Sequence, residues 1–160
     1  MKNSLIVLLM ASASLSASAT EESLCAAAKG VLLTGTVTSA PTFAAASSTI
    51  RGVKLSHTHV RLVADQDGKN YDVAIDNVFA ADYVKNASAI PPSLAAIKIN
   101  DRLELCGEKY TSGVGIHWVH TNCGATPRAT APNGWVKHIA TGGGIGSNLE
   151  RSQTYCYLWN

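Results

Sequence analysis

Residues 101–124 read DRLELCGEKYTSGVGIHWVHTNCG. Apolar side chains fall at odd positions in the first half, Leu103 and Leu105, and at even positions in the second, Ile116 and Trp118. Side chains alternate faces along a strand, so the pattern predicts two short strands joined by the Gly-rich turn at Gly113 and Gly115. An antiparallel pairing that puts both apolar sets on one face must match odd positions with even ones. Cys106 opposite Cys123 satisfies that rule. The register therefore predicts a Cys106 to Cys123 bridge on the face away from the core, leaving Cys25 and Cys156 to tie the two ends of the domain together. In the same register Trp118 faces the core with Ile116.

Disulfides are expected because the N-terminus reads as a leader. Lys2 precedes an apolar run at 5–10, and the small-residue segment 11–19 ends in Ala17-Ser18-Ala19. This is the pattern of a secretory signal peptide over 1–19, of the short Ala-rich bacterial kind. The run is too short and too rich in Ser for the ~20 apolar residues of a membrane helix, so no membrane span is expected in the mature chain. The product would be periplasmic or secreted. Outside a reducing compartment, four cysteines favour two disulfides over a metal site or a catalytic thiol, with three pairings open to sequence alone. In the chain-entropy model each closure contributes roughly 3 to 5 kcal/mol.

Residues 20–160 are long enough for one domain with a real core, and a monomer is expected. The formal charge is +2, and losing Lys2 brings the exported form close to neutral. A protein that holds nucleic acid by its phosphates carries a clustered basic face. Arg51, Lys54 and Arg61 are the nearest approach to one and read as ordinary solvated surface, so there is no strong nucleic-acid signature.

Working outward, 31–39 (VLLTGTVTS) is a first strand with a bulge or bend at Gly35, and 42–48, nearly all Ala and Ser, reads as a loop. In 53–64 (VKLSHTHVRLVA) the apolar parity switches between Val53, Leu55 and Val60, Leu62, which predicts a bulge within 56–59. Residues 65–70 hold the Asp-Gly hairpin turn. Tyr71, Val73 and Ile75 then alternate with Asp72, Ala74 and Asp76 in a third strand, and Pro91-Pro92 opens a short helix. The order is three strands, a helix and two strands. It predicts an all-β fold with one short helix, a five-stranded OB-like Greek-key barrel, with a small antiparallel β-sandwich as the alternative. Beyond about residue 125 the chain is a turn-rich extension, in which Cys156 with Tyr155, Tyr157 and Trp159 pins a terminal strand.

Gly115-Ile116-His117-Trp118-Val119-His120 and Gly134-Trp135-Val136-Lys137-His138 resemble the signature of a family of small exported bacterial proteins classed as a domain of unknown function. His59 in the second strand and Gly107 at the end of the fourth are similar to further family positions. The resemblance runs from about Val31 to His138 and implies an OB-like fold without supplying a function. The four cysteines and the long Cys-containing tail depart from it.

His57 and His59, two apart on a strand, point the same way and are the candidate metal ligands. His117 and His120 are three apart, so a regular strand sends them to opposite faces, although His59, one of that pair and His138 could converge in a barrel. No catalytic residue and no cofactor is assigned: there is no Gly-x-Ser-x-Gly elbow, and the cysteines are occupied. The candidate ligand-binding set is His59, His117, Trp118, His120, Trp135 and His138, because an aromatic ring beside a polar handle suits sugars, bases or peptides. The expected function is an exported binding or interaction module for a glycan, an oligonucleotide or a protein. The alternative is a metal-dependent hydrolase using a His cluster.

Overall fold

The computed structural model describes residues 12–159, with side chains from residue 20 onward. Lys2 and the apolar run of the expected leader lie outside the described residues. Helix α1 (Ser12–Ala27) crosses the expected cleavage point and leads into β1 (Val31–Val37). Three short strands follow, β2 (Thr42–Ala44), β3 (Thr49–Ile50) and β4 (Val53–Lys54), and then the long hairpin of β5 (His57–Ala64) and β6 (Asn70–Asp76). After α2 (Pro92–Ala95) come β7 (Arg102–Lys109), β8 (Gly115–His117) and β9 (Trp135–Ile139). Among the described residues no helix is long and apolar enough to cross a membrane.

Five of these strands close on themselves in the order β1-β5-β6-β8-β7, and β7 pairs back to β1. Closure distinguishes the OB-like barrel from the sandwich. The pairing of β6 with β8 is parallel, with Asp72 opposite Gly115, while the other barrel pairs are antiparallel. A parallel pair needs a crossover, and here α2 and β7 make it. The interior is the predicted alternation: Val60, Leu62 and Ala64 from β5, Tyr71, Val73 and Ile75 from β6, and Leu103 and Leu105 from β7 are all buried. Leu94 of α2, at 0% exposure, plugs the barrel beside Ile97. Burying each Leu or Ile contributes ~1.5 to 3 kcal/mol.

Gly35 lies where β1 meets both neighbours, opposite Ala64 on one side and Leu103 on the other. A Cβ there would stand 2.3 Å from Leu62 Cδ1 and 2.4 Å from the Val63 carbonyl oxygen. The expected bend is therefore a close approach of backbones, which only glycine permits.

Several expectations are corrected. The segment expected as a loop contains β2, which extends the β5 edge by pairing Thr42 with His59. The parity switch in 53–64 is a break between β4 and β5 rather than a bulge in one strand. Val53 and Leu55 serve a second small core with Val78, Phe79 and Leu158, whereas Val60 and Leu62 serve the barrel. The tail forms a 3-10 turn, Cys156–Leu158, instead of a strand.

The disulfides are Cys25–Cys106 and Cys123–Cys156, with Cα separations of 5.7 and 5.4 Å, not the pairing predicted from register. The parity rule holds in β7 and β8, which set Glu108 opposite His117 and Lys109 opposite Ile116. It fails as a pairing rule because β8 ends at His117, so Cys123 never reaches β7. The residue opposite Cys106 is Trp135 of β9. On this outer face α1 supplies the partner sulfur, and Cys106 is fully buried there.

Candidate functional site

Because buried residues of β5 and β6 alternate with outward ones, one barrel face displays His57, His59 and Arg61 on β5 beside Asp72, Ala74 and Asp76 on β6. The register sets His57 opposite Asp76 and His59 opposite Ala74. His117 of β8 joins this face next to β6. The chain then leaves the strand abruptly, since Trp118 has φ +52°. For a bulky residue this left-handed conformation is an outlier, costing of order 1 to 3 kcal/mol.

That turn decides the site. It swings Trp118 out of the core, where the regular register had put it, to a half-buried position on the surface. Val119 takes the buried place instead. It also brings His120 to the same side as His117, which an unbroken strand forbids. The His120 ring stacks on Phe79 at 3.9 Å and 7°, and Trp118 lies 4.9 Å from it. Trp159, from the tail, stacks against Phe79 at 5.2 Å.

Two hollows flank this aromatic group, of about 180 and 250 Å3. The first is walled by His57, Asp76, His117 and Leu55; the second by Phe79, Asn122, Cys123 and Arg128. Trp118, His120 and Trp159 line both. Among the described residues nothing accepts the Trp118 indole N–H.

Burial shifts several titratable groups of the groove toward their neutral forms. Burial pushes the His120 imidazole down to about 4, against the pull of its bond to the Thr121 carbonyl. Burial also lowers His57, helped by the neighbouring His59 and His117. Burial raises the Asp76 carboxyl to about 7, although the Val78 N–H bonded to it opposes the shift. Deeper still, Glu150 is 0% exposed and neither of its carboxyl oxygens has a partner. Burial, with Asp76 and Asp82 nearby, holds its proton well above the usual carboxylate range. Its carbonyl accepts the Thr121 N–H, so this acid sits directly behind the His120 turn.

The other sequence-predicted residues divide. His59 lies on the same face but is anchored, its Nδ1 3.0 Å from an Asp72 oxygen that also accepts the Tyr110 hydroxyl at 2.7 Å. Tyr110 meets the His117 ring edge-on at 5.4 Å, and His117 Nε2 lies 3.5 Å from Glu108. Trp135 and His138 line neither hollow. Trp135 donates its indole N–H to the buried Glu104 at 2.9 Å under the Lys137 ammonium, and His138 faces Asp101 at 3.8 Å. The residues that converge are thus His57, His117 and His120 rather than a set including His138. Among the described residues no group of three or more His, Cys, Asp or Glu is placed to hold a metal ion.

Sequence reasoning missed Asp76, Phe79, Trp159 and Glu150. Only Trp159 carried a signal, as an aromatic three residues after a cysteine. The two tryptophan motifs meet at Gly134, whose N–H bonds the His120 carbonyl and where a Cβ would stand 2.3 Å from the Trp118 carbonyl oxygen. No protein-family model, no curated protein and no solved structure matches this chain.

Proposed function

We propose that this protein is an exported binding module, periplasmic or secreted, whose groove between the β5–β6–β8 face and the C-terminal turn takes a neutral, carbohydrate-like ligand. Export is supported by the leader pattern and by two disulfides, which persist in oxidising compartments. Among the ligands weighed from sequence, the polyanion is the poorest match. The hollows hold one cation, Arg128, beside two imidazoles, His57 and His120, whose pKa values burial lowers, and one carboxyl, Asp76, raised to about 7. Nucleic acid would need several phosphate contacts.

A sugar ring offers an apolar C–H face rimmed by hydroxyls that both donate and accept. A half-buried indole complements it beside His57, whose neutral imidazole has one donor and one acceptor nitrogen, and His120, whose Nδ1 donates to the Thr121 carbonyl and leaves Nε2 as an acceptor. The observation that carries the reading is Trp118 itself: a bulky side chain held at φ +52°, half-buried, between two hollows. Strained residues of this kind cluster at ligand sites.

The test is an indole-fluorescence titration of the mature protein with cello- and chito-oligosaccharides, and with a single-stranded deoxyoligonucleotide as the anionic control. Saturable quenching by a sugar that disappears in Trp118→Ala is expected. A flat response to both sugar series overturns the carbohydrate reading, and quenching by the oligonucleotide alone replaces it.

A further inference from the structure

We infer that the ligand is a chain of at least two linked neutral sugar rings, one in each hollow, with the linkage passing over Trp118. The inference rests on the carbohydrate reading above and adds the ligand's length and path.

Size makes the first argument. Hollows of about 180 and 250 Å3 each fall below the ~300 to 1,000 Å3 of sites that enclose a drug-sized molecule, so each suits a single ring. Continuity makes the second. Trp118, His120 and Trp159 are common to both linings, so the hollows adjoin across these three side chains and a ligand that fills both must pass over them. A ligand confined to one hollow meets these shared rings from one side only.

The two hollows also differ chemically. The first presents His57, Asp76 and His117, which suit a ring bonded through its hydroxyls. The second presents Phe79, Ala125, Ala131 and the Cys123 disulfide, with Asn122 and the Arg128 guanidinium as polar handles, which suits a ring docked by its apolar face and held at its rim. Once one ring is seated, the second binds as an intramolecular event, so affinity rises steeply with the second unit and little afterwards.

The experiment is calorimetric titration with glucose, cellobiose and cellotriose, and with N-acetylglucosamine, chitobiose and chitotriose. In the series that binds, the expected Kd falls at least tenfold from one ring to two and less than threefold from two to three. A second measurement uses Ala125→Trp, an exposed position, which fills the second hollow. It should bring the ratio of monosaccharide to disaccharide Kd from above ten to near one. Equal affinity for one and two rings overturns this inference and leaves the carbohydrate reading intact. A ratio unmoved by Ala125→Trp overturns the assignment of the second hollow, whereas binding of neither series overturns the carbohydrate reading and the inference together.

Discussion

Trp118 and Trp135 stand in similar local sequences, His-Trp-Val and Gly-Trp-Val, and the fold gives them opposite surroundings. Trp135 lies in regular strand β9, its N–H on Glu104 and its ring 4.3 Å beneath the Lys137 ammonium. Lys137 also reaches Glu21 of α1 at 2.6 Å, and the disulfide to α1 leaves from the residue opposite Trp135. Trp118 is strained and has no acceptor for its indole among the described residues. The buried acids repeat the contrast. Glu104, at 2% exposure, has an indole and an ammonium, while Glu150, at 0%, has nothing. Buried polar groups are ordinarily satisfied. A corner that settles its own groups is holding the fold together, and at the other corner Trp118, which lines both hollows, is the group a partner can reach.

The largest effects should separate these corners by their disulfides. Cys25→Ala with Cys106→Ala opens an 81-residue separation and should cost about 4 to 5 kcal/mol, read by urea denaturation, with ligand affinity unchanged in the fraction that remains folded. Cys123→Ala with Cys156→Ala opens a 33-residue one, costs about 3 to 4 kcal/mol and also weakens binding at least tenfold, because Trp159 and the second hollow lose their anchor. Equal effects of both pairs on affinity would break the comparison.

Lys137→Met leaves Glu104 and Glu21 facing each other without a cation, at a cost of roughly 3 kcal/mol. The same denaturation curves check it. Trp118→Asn should do the reverse. Asparagine tolerates the left-handed backbone, so relief of strain offsets lost packing and stability moves by less than about 1 kcal/mol. Affinity, by fluorescence or calorimetry, should fall at least tenfold, about 1.4 kcal/mol. A Trp118→Asn protein that is strongly destabilised but binds with unchanged affinity while folded would make this tryptophan structural after all.

The smallest effect is in pH. Asp76 and Glu150 have folded-state pKa values above their ordinary ones, so the folded chain keeps protons that the unfolded chain releases. Their contribution is lost as pH rises, for Asp76 between about 3.8 and 7. His120 works oppositely, because its folded value near 4 lies below 6.5, and its contribution is lost as pH falls through that window. Between about pH 4 and 6.5 the losses from the two acids are opposed by His120 and by His57, which burial also lowers, and above pH 7 only Glu150 remains. Melting temperature should be level over the acid range and decline above pH 7. Glu150→Gln should flatten the decline, raising the melting temperature at pH 8 by a few degrees, ~2 to 4 °C per kcal/mol, and leave it unchanged below the ordinary Glu value of 4.5.

Most of the barrel was legible because alternation is local. Tyr71, Val73 and Ile75 face inward wherever the sheet curls, and Pro92 starts α2 whatever follows it. The site was half legible. His117, Trp118 and His120 are named by their chemistry, but their common direction depends on one backbone angle at Trp118 that no residue type announces. Trp135 shows the converse, since its neighbours in sequence resemble those of Trp118 and its neighbours in space make it a brace.

Residue order by itself determined the all-β class with its OB-like strand order, most of the strand faces and the presence of sulfur bridges, because side-chain period and turn chemistry act over a few residues, while closure of the barrel was decided by β7 pairing back to β1. Which cysteines join, which tryptophan meets solvent and which acid lies unpaired were decided only in three dimensions. Those choices depend on elements far apart in the chain, α1 against β7 and the C-terminal turn against Phe79, and parity within a strand carries no information about them.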